Sequence, residues 1–86
     1  MKPFNLKDAQ KPGTKFCTRS YGLKCEILSF NDPNARFKSE VCNRPIKYKV
    51  FNLDGSEQQI LHCDINGRCN SNKYMLLDCT HDLMIK

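Results

Sequence analysis

Apolar and charged side chains alternate over Ile46-Lys47-Tyr48-Lys49-Val50. A period of two predicts a strand that turns Ile46, Tyr48 and Val50 inward and leaves Lys47 and Lys49 in water. Asp54-Gly55 follows as a hairpin turn signal, because glycine tolerates positive φ. A loop over Asp54 to Ser56 then places Val50 opposite Ile60 in a returning strand over 58–64. Upstream, residues 15–30 group aromatic and β-favouring side chains around Gly22 and predict a further hairpin. Asn31-Asp32-Pro33-Asn34 ends its second strand, since proline fixes φ and Asx side chains bond their own backbone.

Residues 36–42 suit either a strand or two helical turns, closed by Asn43-Arg44-Pro45. Asn66-Gly67 offers another turn and 68–72 is loop-like. Lys73 to Cys79, carrying Tyr74, Met75, Leu76 and Leu77, reads as a largely buried strand, and Leu83 to Ile85 as a short final one. Residues 1–14 hold two prolines and a glycine among lysines and predict a mobile lead-in, which leaves 15–86 as a single domain. The fold class expected is mainly β, a small antiparallel sheet or sandwich of about five to six strands stapled by disulfides.

Cysteine usage sharpens that expectation. Cys17, Cys25, Cys42, Cys63, Cys69 and Cys79 make an even count of 6 in 86 residues. Such a short chain buries too little surface for a secure core, so disulfides are expected to supply stability, as in secreted domains. The spacing does not select a pairing. Residues 1–14 contain no apolar run of signal-peptide length, so the secreted reading takes any leader as already removed; no stretch is long enough for a transmembrane segment.

Charge is divided unevenly. Residues 1–49 hold eleven Lys or Arg against four Asp or Glu, and residues 50–86 three against five, giving +7 and −2 of the net +5. The segment 36–49 concentrates Arg36, Lys38, Arg44, Lys47 and Lys49, with Phe37 and Tyr48 interleaved. Cations attract polyanions and aromatics can stack on bases, so these five residues form the candidate binding face. The inward turn expected of Tyr48 separates it from the lysines beside it and weakens the case for RNA.

Other chemistry finds less support. His62, Cys63, Cys69, Cys79 and His81 cluster late in the chain, yet they lack zinc-knuckle spacing, and His62 and Cys63 face opposite sides of a strand. No metal and no cofactor are therefore expected. A thiolate nucleophile needs a free, activated cysteine, which an even count does not offer. His62, His81, Glu26, Glu40 and Glu57 are the acid-base candidates, and their order along the chain does not say which converge.

Tyr48 to Asn52, Ile60 to Asp64 and Ser71 to Thr80 resemble the closing strands of small fungal guanyl-specific ribonucleases, over the last 39 residues. The family's catalytic arginine falls at Tyr48 and its catalytic histidine at Cys63, so the resemblance carries no catalytic role and points to inactive ribonuclease-like effectors. The opening Lys-Phe-Cys strand and the meander after it are similar to ToxB-like fungal effectors, which implies a disulfide-tied β-sandwich. Both resemblances imply secretion, disulfides, a β-rich body and the binding of a host molecule with no chemistry required; together with the basic face, the expectation is a secreted, non-enzymatic effector that binds a host macromolecule, a host protein before RNA. The alternatives are a cationic antimicrobial or killer-type toxin and a ribonuclease-like RNA-binding protein, with an active ribonuclease using His62 or His81 and a Glu as the enzyme reading.

Overall fold

Alternation over 46–50 is realised in full: Ile46, Tyr48 and Val50 have no exposed surface and Lys47 and Lys49 are half-buried on the opposite face. The computed structural model describes residues 1–35 and 39–86. Its strands are β1 (Lys2–Pro3), β2 (Phe16–Thr18), β3 (Lys24–Ser29), β4 (Ile46–Phe51), β5 (Glu57–Cys63) and β6 (Leu83–Ile85), with one short helix, α1 (Leu6–Ala9). All six join one antiparallel sheet in the order β1-β6-β2-β3-β4-β5, so the mainly β expectation holds as a single sheet. No helix among the described residues is long and apolar enough to cross a membrane.

The last strand in sequence, β6, lies between β1 and β2, pairing Leu83 with Thr18 and Ile85 with both Phe16 and Lys2. Leu83, Met84 and Ile85 are all buried there. That insertion draws in the first residues. Phe4 is 5% exposed and sits 6.1 Å from the Phe16 ring, and Ala9 of α1 is equally buried. Residues 2–9 thus belong to the body of the fold and are not a separate lead-in. Asn5 caps α1, accepting from Asp8 N–H while its amide donates to the Asp8 carboxylate; that bond, aided by Lys11, lowers the Asp8 carboxyl to about 2.

The β2–β3 hairpin is organised by Thr18, whose hydroxyl accepts Leu23 N–H and donates to the Ser20 carbonyl. Tyr21 and Gly22 turn the chain at φ of 66° and 57°. In the β4–β5 hairpin the register differs by one residue from expectation: Val50 faces Gln59 and Lys49 faces Ile60. A bulge at Val50/Phe51 leaves Gln58 as the extra residue, and Asn52 N–H bonding to the Ser56 carbonyl closes a three-residue loop, Leu53 to Gly55, one position before the Asp54 to Ser56 loop expected.

The buried strand expected over 73–79 is absent. Tyr74, Met75 and Leu76 are 75%, 54% and 77% exposed, and the segment contributes one isolated bridge, Asn72 to Met75. Side chains take the backbone donors that strand pairing would use: Asn72 Oδ1 accepts from Tyr74 and Met75 N–H, and Ser71 Oγ from Leu77 N–H.

Gly67 supplies a comparison that tests the packing at β6. At φ +82°, a Cβ added there would lie 2.7 Å from Phe4 Cβ and collide with the Leu83 carbonyl, whereas one added to Gly13, at φ +81°, meets nothing within 4 Å. Gly67→Ala should therefore cost about 2–4 kcal/mol in urea unfolding and Gly13→Ala about 1 kcal/mol, the difference being steric. Equal costs would show that Phe4 is not held against this turn.

Candidate functional site

The open edge of the sheet carries the candidate site. Among the described residues β5 ends the strand order with β4 as its one neighbour, and a groove of about 620 Å³ follows it. Gln59, Ile60, Leu61 and His62 all line that groove. Consecutive strand residues point to alternate faces, so a groove touching four in succession runs along the outer edge of β5. Asp32, Asn34, Arg44 and Lys47 line it from the β3–β4 side, and Cys69, Asn70, Cys79 and His81 from the C-terminal loops.

Each wall has a local cause. Lys47 stands directly across from His62 in the β4–β5 ladder. Asp32 closes an Asx turn, its Oδ1 accepting Asn34 N–H at 3.0 Å, while its own N–H donates to the Pro45 carbonyl at the entry to β4. These bonds aim the other carboxylate oxygen at His62, 2.8 Å from Nε2. The His62 bond, then the Asn34 bond, lower the Asp32 carboxyl below its ordinary range. Arg44 Nη2 reaches the Ser71 carbonyl at 3.5 Å, joining the segment before β4 to the opposite wall.

Tyr48 anchors the floor from inside. Its buried hydroxyl donates to the His81 carbonyl at 2.6 Å, and burial holds the phenol far above its ordinary pKa. Asp82, 1% exposed, fixes the far wall by accepting Cys69 N–H and Cys79 N–H at 3.1 and 3.0 Å and Arg19 Nε at 3.1 Å.

Of the five cations expected to form one face, the structure brings Arg44 and Lys47 into the groove. Lys49 shares the Lys47 side of β4 but pairs with Glu57 at 2.7 Å and lies 5.9 Å from the Phe51 ring centroid, outside the groove. Arg36 and Lys38 lie outside the described residues. His62 and Cys63 do face opposite sides, Cys63 being fully buried against Ile46. Among the described residues, the cysteine cluster retains Cys69 and Cys79 and adds Asp82, which the sequence reading did not single out; no local pattern marks that residue.

The cysteines are thiols, so the expected disulfides are not formed here. Strand register explains part of this. Phe16 faces Cys25 and Cys17 faces Lys24, which puts Cys17 and Cys25 on opposite sides of the sheet. Burial pushes the Cys25 thiol up to about 12 and raises Cys63 as well.

A second concavity of about 680 Å³ combines Phe16, Ile27 and Phe30 with Lys11, Lys15, Lys24 and Lys86. Lys11 is paired with Asp8 at 3.0 Å and Lys24 lies 5.4 Å from the Phe51 ring centroid, so part of its charge is already engaged. These lysines are scattered along the chain and form no local motif. In comparisons with protein-family models, curated proteins and solved structures, nothing matches this chain.

The Asp32–His62 bond has a pH signature. Because the folded Asp32 pKa is below the unfolded value near 3.8, its contribution is complete above that value and is lost as pH falls through the lower folded pKa. Asp32→Asn should therefore flatten the fall in the urea midpoint across this acid range. An unchanged slope would show that another carboxylate governs it.

Proposed function

We propose that this chain is a secreted, non-enzymatic domain of the effector type that binds a host protein, taking an extended acidic segment of it along the β5 groove. The carrying observation is that Arg44 and Lys47 line the same groove as the open edge of β5. An extended peptide can add to such an edge through main-chain hydrogen bonds, with cations beside it selecting carboxylates. The exposed run Tyr74, Met75 and Leu76, which follows the Asn70 wall, supports a protein partner, since clustered exposed apolar groups are typical of protein contacts. The rings among the groove's described lining residues are the imidazoles of His62, held by Asp32, and His81, with no Phe, Tyr or Trp as a stacking platform, which favours protein over RNA. Secretion is supported by six cysteines in so small a domain.

Fluorescence anisotropy with a labelled octapeptide of alternating Glu and Val, its Gln counterpart and oligouridylate tests the proposal. The Glu peptide should bind best and weaken as salt rises; Arg44→Ala and Lys47→Ala should each weaken it roughly three- to tenfold at low salt. Ile60→Lys, which places a charge on the edge strand, should weaken both peptides. Tighter binding of oligouridylate, or its cleavage in a manner abolished by His62→Ala, would overturn the protein-binding reading.

A further inference from the structure

Cys69 Sγ, Cys79 Sγ and an Asp82 carboxylate oxygen lie within 4.8 Å of one another in the groove wall. We infer that Cys69 and Cys79 are a redox pair that closes to a disulfide in exchange with a small-molecule disulfide such as oxidised glutathione.

The surrounding chemistry distinguishes this from a metal centre. Asp82 Oδ1 accepts from Cys69 N–H and is 3.5 Å from Cys69 Sγ, while Oδ2 accepts from Cys79 N–H and Arg19 Nε. Among the described residues the cluster offers three ligands at most, short of the four a structural zinc takes. The same Asp82 bonds hold the backbones of both cysteines in place while their sulfurs lie within 4.8 Å of each other.

Two other pairs of cysteines are placed less favourably. Cys17 and Cys25 face opposite sides of the sheet. Cys25 pairs with Val50 and Cys63 with Ile46, four residues along β4, a separation of about 13 Å at strand rise. Cys42 Sγ lies 4.0 Å from the Ser71 carbonyl oxygen.

Exposure orders the exchange. Cys79 is partly exposed, whereas Cys69 is 8% exposed, and burial, then Cys79 and Asp82, push its thiol up to about 12. Cys79 thiolate attacks one sulfur of glutathione disulfide and expels one glutathione thiolate. Cys69, giving up its proton, attacks Cys79 Sγ in the mixed disulfide and expels the second. Two protein thiols and one glutathione disulfide become one protein disulfide and two glutathione thiols. This pairing stands without the binding proposal; its effect on a ligand, through the fixed wall at Cys69, Asn70 and Cys79, rests on that proposal.

Wild-type protein equilibrated in graded oxidised and reduced glutathione, alkylated without reduction and digested with trypsin provides the test. Arg68 and Lys73 separate the two cysteines into peptides 69–73 and 74–86. These two should be the first linked pair to appear as the buffer becomes oxidising, with a mass loss of about 2 Da relative to the dithiol. Linkage of 69–73 to the Cys63 peptide, or alkyl groups on both Cys69 and Cys79 after full oxidation, would overturn the pairing. Stoichiometric zinc that blocks both alkylation and oxidation would overturn it in favour of a metal site. Oxidised and reduced wild type then enter the octapeptide assay, where equal affinity with the linkage present would fault the binding consequence and not the pairing.

Discussion

A single buried carboxylate, Asp82, holds the segment 64–82, which carries no strand, to the sheet. It accepts the backbone N–H groups of Cys69 and Cys79 and the guanidinium of Arg19, and its own N–H donates to the Cys79 carbonyl. A buried charge is costly unless it is fully hydrogen-bonded, and Asp82 meets that condition with donors from three separate segments. The next residue, Leu83, begins the strand that lies between β1 and β2. Loss of the clamp would therefore loosen the groove wall and the entry to β6 together.

Polar side chains repeat this role on a smaller scale. Asp64 Oδ1 accepts from Asn66 and Arg68 N–H, Asn72 Oδ1 from Tyr74 and Met75, and Ser71 Oγ from Leu77. Short acceptor side chains satisfy backbone donors where strands would otherwise satisfy them, so the chain from 64 to 82 is ordered without a ladder. Its loops can then bring Cys69, Cys79 and His81 to the same groove as Lys47 and His62 of the sheet. Tyr48 links the two parts, its ring in the core and its hydroxyl on the His81 carbonyl.

Charge follows a similar division. The cations expected on one face are sorted by the carboxylates and rings they meet, Lys49 to Glu57 and Phe51, Lys47 to the groove. Arg44 reaches the groove from the segment before β4 through its contact with Ser71. Basic composition alone does not determine which of these groups faces a partner.

Local patterns decided much of the fold. Alternation at 46–50, the turns at 22 and 31–34, the hairpin after Val50 and the short strand at 83–85 were legible because each depends on neighbours in sequence. The opposite facing of His62 and Cys63 followed from the same period of two. Tertiary structure alone decided the placing of β6 beside β1 and β2, the docking of Phe4, the one-residue bulge in β5 pairing and the exposure of Tyr74 to Leu76. Each turns on partners distant in sequence or on a side chain outcompeting the ladder. The groove has the same origin: Asp32, Arg44, Lys47, His62 and Cys79 meet because the β5 edge and the Asp82 clamp bring them together, and no spacing along the chain encodes that meeting.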